Sequence, residues 1–251
     1  MSERTEGPPV IYNLFDSAAA YRPTEAEQAG PVPPIEAVLF DFSNTIFKLI
    51  DIPTWLRRVA EAAAKPIDAA TVEKTAAQLY ESYRIPEVAA AQVGRDESAA
   101  QHRAALFAWF ERVDYLQGIE ATAYELIAAP DAWVPYPDTE PLLRELRRRG
   151  IKTGIVSDFP WDVGVHMEHF GLEDLVDVRI VSYQFGTEKP DPVLFRAACE
   201  RLGVDPRAAL MVGDNPAKDG GAAASGLRAF ILPGEARTGE RGLAHVLGFL
   251  D

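Results

Sequence analysis

Ala37-Val38-Leu39-Phe40-Asp41-Phe42-Ser43-Asn44-Thr45 runs four apolar residues straight into a carboxylate. A short unbroken apolar run of this kind is expected of a strand buried on both faces. An aspartate where such a strand leaves the core is costly unless it meets a metal, a charge partner or a reacting group. The pattern recurs downstream. The spacing predicts a helix over Glu140 to Arg149 closed by Gly150, then a strand over Lys152 to Val156. A helix over Asp162 to Phe170 closes at Gly171 and precedes the strand Val178 to Val181. Then come a helix over Pro192 to Leu202 ended by Gly203, a strand over Ala209 to Val212, a helix over Ala217 to Ser225 stopped by Gly226, and a strand over Arg228 to Leu232. Strand and helix in strict alternation specify an α/β doubly wound parallel sheet, with ligands held at the carboxyl ends of its strands.

Two segments fall outside this alternation. Residues 1–35 contain six of the nineteen prolines and read as a proline-rich arm, with the apolar patch Val10 to Phe15 inside it. Residues 48–135 show no strand pattern. Trp55 to Ala64, Ala70 to Tyr83 and Ser98 to Leu116 are rich in Ala, Leu, Glu and Arg, with breaks at Pro53, Pro66 and Pro86, so an all-helical second module is expected there. The core is then formed by residues 36–47 and 136–251.

Composition narrows the function. The 251 residues carry a net charge of −13 with no basic segment, which argues against nucleic acid or an anionic membrane as partner. Hydrophobic residues at 47% support a sizeable core, and no stretch approaches a membrane-spanning helix. A single cysteine, Cys199, cannot form an internal disulfide or a thiolate cluster, so a reducing cytoplasm is the expected location. Monomer and homodimer both remain open.

Four features follow predicted strands directly. They are Asp41-Phe42-Ser43-Asn44-Thr45, Val156-Ser157-Asp158, Gly186-Thr187-Glu188-Lys189-Pro190-Asp191-Pro192, and Gly213-Asp214-Asn215-Pro216-Ala217-Lys218-Asp219. Any one of them has a plainer reading as a helix cap, a turn or a solvated cation. Their joint placement brings a carboxylate, a hydroxyl, an ammonium and a carboxylate pair to one crevice, a set suited to a phosphoryl group with a magnesium ion. With six lysines against nineteen arginines in the chain, a lysine at position 189 is less easily dismissed as background. His166 and His169 lack a third metal ligand and read as surface or core-edge residues, while Trp109 and Phe110 read as core of the helical module.

In order and spacing these motifs resemble the haloacid dehalogenase-like hydrolases, over residues 36–47 and 136–234. The helical insertion resembles the family's cap, and Pro135-Tyr136-Pro137 its return from cap to core. The resemblance implies Asp41 as nucleophile and an aspartyl-phosphate intermediate. It implies Mg2+ held by Asp41, the main-chain carbonyl of Ser43, Asp214 and, directly or through support, Asp219. Ser157 and the amide of Asp158 would bind phosphoryl oxygens, and Lys189 would offset the charge, with Ser43 and Asn44 beside the substrate. The substrate implied is a small phosphorylated metabolite.

The sequence departs from the family pattern at one chemically important place. The family's acid/base aspartate, two residues after the nucleophile, is Ser43, and the next glycine is Asn44. A positioned acid or base is worth roughly 10²- to 10⁴-fold in rate. Three readings remain: a phosphatase whose leaving group needs no proton or takes one from a cap residue such as Asp51; a 2-haloacid dehalogenase; or a weak or inactive member acting as ligand sensor or interaction protein. A phosphonate-cleaving relative would need a Schiff-base lysine in the cap, for which Lys65 and Lys74 are the candidates.

Overall fold

The computed structural model describes residues 19–21, 31–234 and 239–250. In chain order the first elements are β1 (Ala19–Tyr21), β2 (Ala37–Phe40) and β3 (Phe47–Leu49). The helices α1 (Ile52–Ala62), α2 (Ala69–Ser82), α3 (Pro86–Ala91), α4 (Ala99–Phe110) and α5 (Glu120–Ala128) follow. The chain then returns through β4 (Trp133–Pro135), α6 (Thr139–Arg148), β5 (Lys152–Ser157), α7 (Gly164–His169), β6 (Val178–Val181), α8 (Pro192–Leu202), β7 (Ala209–Gly213) and β8 (Arg228–Ile231).

One six-stranded sheet has the order β1-β8-β7-β2-β5-β6, in which five strands run parallel and β1 is antiparallel at the edge. All four residues of β2 are fully buried, as their apolar run requires, and each buried Leu or Phe side chain contributes ~1.5–3 kcal/mol. From β2 the chain builds β5 and β6 on one side, then crosses to lay down β7 and β8 on the other. Strand order therefore reverses at β2, and the carboxyl end of β2 is the switch point where such sheets open a crevice. Asp41 is the next residue.

Three expectations need correction. Residues 19–21 of the proline-rich arm form an edge strand on β8, where an antiparallel partner needs only a short unobstructed run; the patch Val10 to Phe15 lies outside the described residues. The segment 48–135 is not wholly helical: its entry and exit pair as β3 and β4, because two chain segments passing side by side satisfy one another's backbone. Between them the insertion has its own apolar cluster, built on Trp55, Leu56, Val59, Leu79, Leu106, Phe110 and Leu116. The predicted helix over Ala217 to Ser225 is instead a tight 3₁₀ segment, Asp219–Ser225. A Cβ on Gly221 would lie 2.4 Å from the Cβ of Pro190, and one on Gly213 would lie 2.1 Å from Asp219 Oδ2. The two glycines let Asp219 fold back against β7.

Candidate active site

Asp41 leaves β2 held by its own amide, which donates to the carbonyl of Val212 at 2.9 Å. The next residues turn sharply: Asn44 sits at φ +56°, a conformation Asn tolerates in place of glycine. The amide of Asn44 donates to Phe47 O, and the Arg241 Nε donates to Asn44 O. From the opposite segment, Thr139 Oγ1 donates to Ile46 O at 2.7 Å, so the turn is fastened where the insertion rejoins the core.

Lys189 is buried between two carboxylates. Its Nζ lies 2.9 Å from Asp41 Oδ1 and 2.6 Å from Asp219 Oδ1. Asp219 Oδ2 accepts from the amides of Asp214 and Asn215, at 3.0 and 2.9 Å. Asp219 is fully buried and both its oxygens are engaged, which suits it to holding Lys189 and the Asp214 loop in place. Asp158 Oδ1 accepts from the amide of Lys189 at 2.8 Å, and its Oδ2 pairs with Lys218 at 2.8 Å. Lys218 also pairs with Glu188 at 3.0 Å.

Asp41, Asp214 and Asp219 each bring one carboxylate oxygen within 4.8 Å of the others. Burial raises Asp41 to about 6 against the pull of Lys189, and raises Asp214 to about 8, with Asp41 and Asp219 repelling its charge. The neighbouring carboxylates hold Lys189 protonated, well above the ordinary lysine range, despite its burial. A nest of buried oxygen donors carrying more negative charge than its lysine offsets is chemically suited to a hard divalent cation such as magnesium.

These residues border a cavity of about 170 Å³. Its lining combines the polar residues Asp41, Ser43, Asn44, Asp158, Lys189 and Asp214 with the aromatic side chains of Trp109, Trp133, Phe159 and Trp161. Trp161 is aimed by its Nε1, which donates to His166 Nε2 at 2.9 Å, while His166 Nδ1 meets Pro130 O at 3.0 Å.

The cavity thus collects seven of the eight residues expected from sequence. Ser157 is the exception: it is fully buried next to Asp158 and is not among the lining residues, and its Oγ has no hydrogen-bond partner among the described residues. Asp51 is not a cavity residue. It is exposed and caps α1, accepting from the amide of Thr54 at 2.8 Å. Lys65 donates to Tyr115 O, and Lys74 pairs with Asp114 at the surface, so neither reaches the cavity. His166 belongs to the core and not to the surface, and Trp109 serves both the insertion's core and the cavity wall. Sequence reasoning missed Lys218, legible between Asp214 and Asp219. It also missed Arg241 and the insertion's Arg95, Asp96 and His102, which belong to no recognisable motif.

A doubly wound sheet, a helical insertion whose residues border the same cavity, and a carboxylate nest around one buried lysine define an α/β hydrolase architecture. A family model for haloacid dehalogenase-like hydrolases matches residues 35–226, and the chain belongs to that family. Among curated relatives, a phosphatase of Mycobacterium tuberculosis (MT3486) is 36% identical over 46% of this chain and 56% of its own. The ribulose-1,5-bisphosphate 5-phosphatase of Halopiger xanaduensis is 29% identical over 78% of this chain and 84% of its own. The match spans only about half the length of the first of these relatives, 56% in the mycobacterial protein. Among solved structures, L-2-haloacid dehalogenase from Xanthobacter autotrophicus superposes with a TM-score of 0.57 at 26% identity, covering 77% of this chain and 75% of that one. A phosphatase of the same family from Thermococcus onnurineus gives 0.51 at 29% identity, covering 78% and 85%.

Proposed function

We propose that this chain is a magnesium-dependent phosphatase of small phosphorylated metabolites, with residues 48–135 as a cap over the core formed by 36–47 and 136–251. The observation that supports this best is the buried contact of Lys189 with Asp41 and Asp219 beside Asp214. Asp41 attacks phosphorus through a carboxylate oxygen as the bond to the leaving oxygen breaks. Water then attacks the aspartyl phosphate, the bond from Asp41 to phosphorus breaks, and phosphate departs. Lys189 offsets charge on the carboxylate and on the phosphoryl group. The Ser157 hydroxyl, which has no hydrogen-bond partner among the described residues, and the amide of Asp158 would donate to phosphoryl oxygens, beside Ser43 and Asn44. Asp41, the Ser43 carbonyl and Asp214 would hold magnesium, with Asp219 in support, and the bound ion would lower the repulsion between nucleophile and phosphate. Halide displacement needs no cation, so the buried carboxylates favour phosphate over a haloacid, and the intact set of Asp41, Lys189 and Asp214 favours turnover over a sensor role. The cavity takes a small anion rather than a polyanion. A reducing cytoplasm suits the lone buried thiol of Cys199, which burial pushes up to about 11.

The primary test is release of inorganic phosphate from a panel of phosphate esters and acetyl phosphate. Turnover with magnesium, lost with a chelator, is expected; a folded protein with no turnover on any of them would overturn the reading.

Cation binding has its own signature in pH. Folded Asp41 and Asp214 hold protons up to about 6 and about 8, whereas the unfolded chain releases them near 3.8. The folded state therefore binds more protons across that window, and stability without a cation falls as pH rises through it. Since magnesium binds the deprotonated carboxylates, the melting-temperature gain on adding it should be larger at about pH 8 than at about pH 5. A gain independent of pH would speak against a site on these two carboxylates.

A further inference from the structure

We propose that Asp96, carried by the helical insertion, is the catalytic acid and base that serves the leaving oxygen and the attacking water in place of the side chain at position 43. This rests on the phosphatase reading above. Five carboxylates border the cavity: Asp41, Asp96, Asp158, Asp214 and Asp219. Asp41 is the nucleophile and Asp214 belongs to the cation nest. Asp219 is saturated by Lys189 and two amides, and Asp158 is committed to Lys218 and to the Lys189 amide. Of these five carboxylates, Asp96 alone remains for proton transfer.

Its placement is built, not incidental. Asp96 lies on a single 3₁₀ turn, Arg95–Glu97, entered through Gly94 at φ +69°. The main chain of that turn is docked onto the core at two points. The Asp96 amide donates to Glu188 Oε1 at 2.9 Å, and Ser182 Oγ donates to Asp96 O at 2.5 Å. Glu188 in turn holds Lys218, which holds Asp158, so the turn is tied into the residues that position Lys189. Among the described residues the Asp96 carboxylate makes only long contacts, 3.5 Å to Arg95 Nε and 3.8 Å to His102 Nε2. His102 is oriented by Tyr124, whose hydroxyl lies 3.2 Å from Nδ1.

Proton bookkeeping follows. Protonated Asp96 gives its proton to the leaving oxygen as the phosphorus–oxygen bond breaks and Asp41 bonds to phosphorus. The resulting carboxylate takes a proton from water as that water attacks phosphorus and the Asp41 bond breaks, restoring both residues. The groups facing Asp96 are Arg95 on its own turn, His102 on α4, Tyr124 on α5, and Glu188, Lys218 and Asp158 from the core. Burial outweighs Arg95 and raises Asp96 to about 6, and burial lowers His102 to about 3, so the imidazole stays neutral beside it. Such an acid is half-protonated near pH 6 and still about one-tenth protonated at pH 7, a range in which one group can both give and take a proton.

The experiment compares kcat/KM for wild type, Asp96→Asn, and Asp96→Asn combined with Ser43→Asp, on p-nitrophenyl phosphate and on an alkyl phosphate. The first leaving group departs as an anion, and the second needs a proton. Asp96→Asn should lower the alkyl value by ~10²- to 10⁴-fold and the p-nitrophenyl value by less than ~10-fold. With saturating magnesium to keep Asp41 deprotonated, the ratio of the wild-type to the Asp96→Asn alkyl value should fall as pH rises through about 6, and a ratio independent of pH would overturn the role. Ser43→Asp in the Asp96→Asn background should recover at least ~10-fold on the alkyl ester. Equal losses on both substrates, or no loss, overturn the role of Asp96 while leaving the phosphatase reading intact. Wild type inert on both substrates overturns the phosphatase reading, and the Asp96 role with it.

Discussion

Asp41→Asn should reduce phosphate release by ~10⁴-fold or more, to the level of the uncatalysed background, because the amide cannot attack phosphorus as an anion. The size of the loss follows from the division of labour in the site. On the proposed mechanism every other group binds, orients, offsets charge or moves a proton, and only Asp41 bonds to phosphorus. The fold should survive. Asn has the same shape, the Asp41 amide keeps its bond to Val212 O, and Lys189 keeps Asp219 as partner. Removing one of the charges that raise Asp214 should leave the cation-free melting temperature unchanged or slightly higher. Phosphate release and a thermal melt on the same preparation check both halves. A variant retaining activity within ~10-fold of wild type would displace Asp41 from the role of nucleophile.

Lys189→Met should cost both activity and stability. Lys189 is 3% exposed, and its ammonium sits between Asp41 and Asp219, with Asp158 also acting on it. Replacing it by an apolar side chain of similar length leaves two buried carboxylates without their counter-charge, a change that typically destabilises by ~3–5 kcal/mol. For a chain of this size that is a fall in melting temperature of roughly 10 °C. Asp41 would then hold its proton to higher pH, since Lys189 is what opposes its burial, and fewer molecules would carry the nucleophilic anion at neutral pH. A variant that melts with wild type would show that Asp41 and Asp219 are not both charged around Lys189. Magnesium should restore part of the lost stability by supplying positive charge at the same place.

The sheet was legible because its cause is local. An unbroken apolar run such as Ala37 to Phe40 has no solvent face, and the glycines at 150, 171 and 203 end helices by adopting positive φ, whatever surrounds them. The edge strand β1 was not legible, because an edge strand requires a partner and not a pattern. The 3₁₀ segment after Asp219 was read as an α-helix for a related reason. Alanine content favours helix, and only the close approach of Gly221 to Pro190 and of Asp219 to Gly213 makes the chain tighten there.

The site divides along the same line. Asp41, Ser157, Lys189, Asp214 and Asp219 could be read from the chain because each follows a strand end, and the parallel sheet gathers strand ends. The insertion's contribution could not. Asp51 and Asp96 are both acidic residues of the helical segment, and nothing in their neighbours along the chain ranks one above the other. Asp51 is held outward by capping α1, whereas the turn bearing Asp96 is docked on Ser182 and Glu188, 86 and 92 residues further along. The sequence by itself determined the doubly wound core, its carboxylate and lysine, and the absence of the usual acid at position 43. Only the tertiary structure decided which carboxylate of the insertion lies over that core, because the position is set by hydrogen bonds between segments far apart in the chain, which leave no periodicity to read.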